Sequence, residues 1–277
     1  MKRASTNTAP LSSADRRFYA ALAVLGGSYG VMVAALLLAD LAYTTPGHLW
    51  TSLQSSEIRY AIRLSLLSCT LTTLMSLWVA IPLGYLLARR RFPGSVLVDL
   101  LVDIPMVLPP LVIGLSLLIL FQTAPGRMIE RVLPVTYAVP GVILAQFMVS
   151  CAFAVRTMRT TFEQMNPRAE QVALTLGCGR AEAFWRVALP AAKRGVLAAA
   201  TLAWARSLGE FGPILVFAGA TRFKTEVLST TVFLELSVGN LEAAIAVSLL
   251  MVMAAVIALL LLRRWGGEPN LGQAGPA

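Results

Sequence analysis

The chain has 277 residues, 57% hydrophobic and 13% charged, with a net charge of +9. Soluble domains carry roughly a quarter charged residues, and they have no need of repeated apolar runs near the ~20 residues that match a bilayer's hydrocarbon thickness. Composition therefore excludes an ordinary soluble domain. The basic excess points to the cytoplasmic side of a membrane rather than to nucleic acid.

A leader over 1–17 carries Lys2, Arg3, Arg16 and Arg17. The apolar run after it, 18–41, is longer than a signal peptide's core and lacks a small-residue cleavage site, so it reads as a retained span. Further runs at 64–87, 97–121, 139–158, 195–219 and 241–262 predict six spans in one domain, 18–264. A short cytoplasmic tail, 265–277, follows. The fold class expected is an all-α membrane protein.

With the N-terminus inside, 16 of the 23 Lys and Arg fall in inner segments and six in outer loops, and Arg206 lies within a span. That asymmetry predicts both termini in the cytoplasm. The outer segments are then 42–60, 122–138 and 220–240, the last with room for a short surface helix. Cys69, Cys151 and Cys178 have neither disulfide nor metal spacing.

The spans are interrupted. Span three reads Asp103-Ile-Pro105-Met-Val-Leu-Pro109-Pro110, and span five holds Gly209, Gly212 and Pro213. Each proline removes a donor and clashes with the preceding turn. Backbone freed in this way is tolerated at membrane depth only when packed in protein or lining a wet cavity, as in the broken helices of transporters. Arg206 and Glu210, four apart, share a face of span five. Each costs ~2.5–3.5 kcal/mol at the bilayer centre unless it faces the interior and pairs. Two readings stand, a passage or gate for an anion and an ion pair that fixes helix packing. Asp99 and Asp103 are expected as first-turn acids at the start of span three, favoured by the helix dipole.

Between Arg156 and Gly195 the chain leaves the membrane. Asn166-Pro167 is a helix start, Gly177 a left-handed stop, and a second helix from Arg180 ends at Pro190. Its Ala181, Phe184, Trp185 and Ala188 share one face. That face suits a docked partner or the headgroup layer.

Gln171-Val172-Ala173, three residues, Gly177, nine residues, Val187, one residue, then Leu189-Pro190 resembles the EAA loop of ABC-importer permease subunits. The spacing from Gly177 to Pro190 matches throughout. Gln171 stands where the pattern has Glu, with Glu170 one position earlier, and Val172 replaces Ala. Trp204-Ala-Arg206-Ser-Leu-Gly209-Glu210-Phe-Gly212, Asn240-Leu-Glu242-Ala-Ala-Ile-Ala246 and the Pro109-Pro110 pair resemble permeases for tetrahedral oxyanions. These are molybdate or tungstate first, and sulfate second.

The resemblance implies a type I ABC-importer permease fold in a prokaryotic inner membrane. The 163–193 loop would be a coupling helix docked on a dimer of ATPase subunits through Glu170, Gln171, Ala173, Gly177, Phe184, Trp185, Val187, Leu189 and Pro190. Pro109, Pro110, Arg206, Gly209 and Glu210 would belong to the translocation path or its gate. A homodimer and a periplasmic oxyanion-binding protein are implied. The chain has no Gly-x-x-x-x-Gly-Lys-Ser/Thr loop, so it is expected to be non-catalytic and to bind no cofactor, ATP and Mg belonging to the partner. The rival readings are a gradient-driven carrier or channel, and a hydrolase using Asp99 and Asp103.

Overall fold

The computed structural model describes residues 13–43 and 46–266. Lys2, Arg3 and the tail beyond 266 lie outside the described residues. In hydrocarbon every backbone donor must be satisfied internally, which helices do within themselves. The elements are α1 (Ser13–Tyr43), α2 (Pro46–Gln54), α3 (Ser56–Arg89), α4 (Ser95–Val107), α5 (Pro110–Gln122), α6 (Ala124–Val132), α7 (Val139–Gln164), α8 (Arg168–Thr175), α9 (Arg180–Ala183), α10 (Leu189–Ala191), α11 (Lys193–Leu208), α12 (Leu228–Ser237) and α13 (Leu241–Gly266). Two π-helical turns, Phe184–Ala188 and Ile214–Ala218, complete the helical structure.

Among the described residues α1, α3, α7 and α13 are each long and apolar enough to cross a membrane. They carry the predicted spans one, two, four and six. The span expected over 97–121, interrupted by its prolines, is broken: α4 and α5 meet at a bend of 115°. Successive prolines force Leu108 (φ −63°, ψ 141°) and Pro109 (φ −55°, ψ 132°) into extended backbone, because the residue before a proline is excluded from the helical region. The expected fifth span, 195–219, is likewise broken. Its helix α11 stops at Leu208, and after Gly209, Gly212 and Pro213 only the π turn follows. Of the outer segments, 220–240 forms α12 as expected, while α2 and α6 are helices where plain loops were expected.

The core is α3 packed along α7, with α11 lying against both. The buried face of α3 is mostly small: Ala61, Ser65, Ser68, Cys69, Thr72, Thr73, Ser76, Ala80 and Gly84. Small residues let helices approach where lipid offers no hydrophobic drive, and polar side chains bond across the seam. Thr72 donates to Gln146 Oε1 at 3.2 Å, Gln146 Nε2 donates to the Ser207 carbonyl at 3.2 Å, and the Ser150 and Ser207 hydroxyls lie 2.8 Å apart. Each such bond stabilises by about 0.6 kcal/mol.

One end of this bundle gathers the last turn of α3, the end of α7 and the 165–192 loop, through Arg89 with Glu170 and Met165. The opposite end gathers the start of α3, α2, α12 and the start of α13 around a polar pocket lined by Thr51, Glu57, Arg222, Glu235 and Glu242.

Candidate functional site

The loop at the first end begins as expected. The Asn166 side chain accepts from the Arg168 amide at 3.0 Å, which caps α8. At its other end Gly177 has φ +91°, a left-handed conformation that costs a residue with a Cβ about 1–2 kcal/mol. The Cys178 amide reaches the Ala173 carbonyl and the Gly177 amide the Leu174 carbonyl, both at 3.1 Å. These two bonds are the closing pair of a Schellman motif. Glycine is therefore dictated by the turn itself, since a Cβ there would meet nothing within 4 Å.

The second half departs from expectation. Pro190 does not end the helix. After α9 the chain widens into a π turn, closed by the Leu189 amide on the Phe184 carbonyl, and runs through α10 into α11. A wider turn is the ordinary way to absorb a crowded or donor-free position within a helix, here the Leu189-Pro190 pair. The two aromatic rings of the expected face stay in edge-on contact at 5.3 Å but differ in exposure. Phe184 turns inward, 4.7 Å from the Tyr85 ring and 6.5 Å from that of Phe162. Trp185 stays 65% exposed.

The remaining docking candidates also sort by direction. Gln171, Gly177 and Pro190 are exposed, Val187 and Leu189 are half-buried, and Ala173 is buried. Glu170 is buried: its Oε1 accepts from Arg89 Nη2 at 2.9 Å and its Oε2 from the Tyr85 hydroxyl at 2.7 Å. Tyr85 went unnoticed in the sequence, and Arg89 was counted only among the inner-side charges. A basic residue closing a long apolar helix was the one available signal, since it needs either water or a carboxylate.

The second constellation comes together as the sequence suggested. Pro109, Pro110, Arg206, Gly209 and Glu210 all line one cavity of about 340 Å³, with Leu111, Phe211 and Gly212. The break between α4 and α5 sits against the break after α11. A Cβ added at Gly212 would lie 3.0 Å from Pro110 Cβ, and one at Gly114 would lie 2.8 Å from Pro213 Cα. Only glycine permits that approach. The Arg206 guanidinium contacts the Glu210 carboxylate at 2.6 Å, the former 29% and the latter 1% exposed. The guanidinium carbon lies 5.8 Å from the centroid of Phe153. Carbonyls freed by the break find partners: Ser207 from Gln146, and Glu210 from the Ser229 hydroxyl at 2.6 Å. Irregular backbone is thus satisfied from within protein beside a cavity, the condition it must meet at membrane depth.

Asp99 and Asp103 are not first-turn acids, because α4 begins at Ser95. They pair instead with α7: Asp99 with Arg156 at 2.8 Å and with Arg159, and Asp103 with Arg156 Nε at 2.6 Å. Two acids four apart meet two bases three apart, each set on one helical face. This is a strut between helices, and its carboxylates are held by guanidinium groups rather than converging on a water. The hydrolase reading loses its residues.

Membrane-crossing helices, two breaks facing each other across a cavity and a capped helix–turn–helix at one end are the features of a multi-pass membrane protein. Residues 80–266 match the family described as binding-protein-dependent transport system inner membrane component, and the chain belongs to that family. It is 32% identical over 226 residues to the sulfate transport system permease protein CysT of Escherichia coli, covering 80% of this chain and 82% of that protein. It is 35% identical over 241 residues to a probable molybdenum ABC transporter permease protein of Haloferax volcanii, covering 87% and 86%. Among solved structures, a bacterial alginate ABC transporter in complex with its periplasmic protein shares the fold. That chain has a TM-score of 0.72 at 18% identity, over 91% of this chain and 96% of its own length. The fold is that of type I ABC-importer permeases, and the protein is a multi-pass inner-membrane transport component.

Proposed function

We propose that this chain is the membrane-spanning subunit of an ATP-driven importer that moves a tetrahedral oxyanion, molybdate or tungstate first and sulfate second. The observation that carries the reading is the cavity between the two breaks, which is lined by Arg206 together with the interrupted backbone. The names of the sulfate and molybdenum relatives support the substrate class. Two copies related by a two-fold axis would complete the pathway. An extracytoplasmic binding protein delivers the anion to the end bearing α2, α6 and α12. The loop end and both termini lie in the cytoplasm, as the distribution of Lys and Arg supports.

The 163–193 segment docks on a separate ATPase, with Gln171 and Trp185 as its outward contacts and Phe184 as the support beneath. ATP binding draws the two loops together and opens the path outward, and hydrolysis returns it inward. Arg206 supplies positive potential to the anion, while Glu210 offsets that charge. A bare cation in the path would bind a dianion too tightly to release it, and conduction needs a site the ion can leave.

The test is uptake into vesicles holding the purified permease with its ATPase. Molybdate, tungstate and sulfate are each presented with the binding protein. Accumulation that requires both ATP and binding protein is expected. Uptake without either one, driven by a gradient, would replace this reading by the carrier or channel.

A further inference from the structure

The loop has to be fastened to the bundle if its displacement is to reach the cavity, and the fastening is visible. Glu170, on the first turn of α8, is 9% exposed. Both of its oxygens are engaged by α3: Oε1 accepts from Arg89 Nε at 3.1 Å and Nη2 at 2.9 Å, and Oε2 accepts from the Tyr85 hydroxyl. Arg89 Nη2 also donates to the Met165 carbonyl at 3.2 Å, where α7 ends. One guanidinium thus ties the last turn of α3, the end of α7 and the start of α8. Its charge also suits the C-terminal end of the α3 dipole.

Tyr85 makes a second attachment, its ring stacking edge-on against Phe162 of α7 and Phe184 of the π turn. Both halves of the helix–turn–helix are therefore held by residues four apart on α3. From that helix the seam of Thr72, Gln146 and Ser207 leads to the turn that carries Arg206.

We propose that Arg89 and Tyr85 are positioning residues that clamp Glu170, making the docking loop and α3 one moving body, and that Gln171 rather than Glu170 is the polar contact offered to the ATPase. This rests on the permease reading above. Glu170 is buried with both oxygens engaged inside its own chain, which turns it away from a partner, whereas the Gln171 side chain beside it is exposed. The clamp couples two sites without touching nucleotide or anion, so its loss shows in the ratio between hydrolysis and transport.

The experiment uses the complete complex in vesicles, with molybdate as the probe. ATP hydrolysis and uptake are measured together, and retention of the ATPase is measured by co-purification. Arg89→Gln and Glu170→Gln are expected to lower molybdate taken up per ATP hydrolysed by about tenfold, within the usual range of a coupling free energy. The ATPase should still co-purify. The exchanged pair, Arg89→Glu with Glu170→Arg, should recover most of the ratio. Tyr85→Phe keeps the aromatic stacking and removes one hydrogen bond, so it serves where the charge variants fail to fold; it should lower the ratio about twofold to fivefold. An unchanged ratio in the single variants, or in Tyr85→Phe where only that variant folds, overturns the clamp. So does loss of the ATPase from Glu170→Gln with Arg89→Gln unaffected, which would make Glu170 the partner contact. Failure of the unaltered complex to take up anion under ATP refutes the permease reading instead.

Discussion

The Arg206–Glu210 pair lets its two readings be separated by one double-mutant cycle. Glu210 is 1% exposed and Arg206 29%, at a contact of 2.6 Å, so the two partners are not equivalent. Arg206→Gln strands a carboxylate with almost no access to water, and breaking a buried pair from one side costs about 3–5 kcal/mol. Glu210→Gln leaves an arginine that still reaches solvent and the face of Phe153, for which a loss of about 1–2 kcal/mol is expected. Replacing both removes the stranded charge and should return stability to within about 1 kcal/mol of the parent, since neutral substitutes for buried pairs are often no worse. At roughly 2–4 °C per kcal/mol for a chain of this size, Arg206→Gln should unfold about 10 °C below the parent, with the double variant close to it. Thermal unfolding of the detergent-solubilised protein reads that half. Uptake in vesicles reads the other. If Arg206 faces the anion, the stable double variant still loses about tenfold in rate, the equivalent of 1.4 kcal/mol. Parental uptake by the double variant would refute a role in passage and leave the pair to packing alone.

Three further predictions use other parts of the molecule. Trp185→Ala should leave stability within about 0.5 kcal/mol, as for exposed positions, yet weaken ATPase binding by about 2 kcal/mol; Phe184→Ala should do the reverse, losing about 2 kcal/mol of stability, with pull-down titration and thermal unfolding as the paired readouts. Gly114→Ala puts a Cβ 2.8 Å from Pro213 Cα, so the two breaks must separate, at about 1–3 kcal/mol, and uptake should fall while ATPase binding holds. Glu226 is fully buried. Burial pushes its carboxyl above the ordinary 4.5, reinforced by Glu235 and Glu57 and opposed by Thr231 and Arg222. The folded state therefore prefers the neutral acid, and stability is lost as pH rises from 4.5 through the raised value. Glu226→Gln should accordingly unfold at least 2–4 °C higher than the parent at pH 8, for about 1 kcal/mol regained, with no gain at pH 4.5; an equal gain at both pH values would contradict the assignment.

Four of the membrane-crossing helices were legible because each is one long apolar run, and hydrophobic length alone decides such a segment. The docking turn was legible for a different reason. Asn166 and Gly177 act on backbone within a few residues of themselves, so local chemistry suffices to place both ends of α8. Pro109, Pro110, Gly209 and Pro213 announced that two spans were broken, and they could not announce the angle. A proline removes donors and excludes helical backbone before it, but the 115° bend is set by what α5 packs against, and Gly114 and Gly212 show that to be the other break. The Pro190 error has the same origin: a missing donor can end a helix or widen it, and tertiary packing of Phe184 and Ala188 chose the second.

Charged side chains mark the point where local inference stops. Arg206 with Glu210 was correctly paired because its partner is four residues away in sequence, just past the end of the same helix. Asp99, Asp103 and Glu170 were not, since Arg156, Arg159 and Arg89 lie more than fifty positions distant in sequence. Yet the physical demand was present at every one of these sites. A buried charge at the edge of hydrocarbon must be neutralised by something within reach, and the arginines at the loop ends of α3 and α7 were among the candidates. Treating each such acid as a request for a basic partner on another helix would have yielded both the strut and the clamp. It would also have drawn attention to the weakest point of the loop, where Glu170 pairs with Arg89 and the Gln171 side chain beside it is exposed.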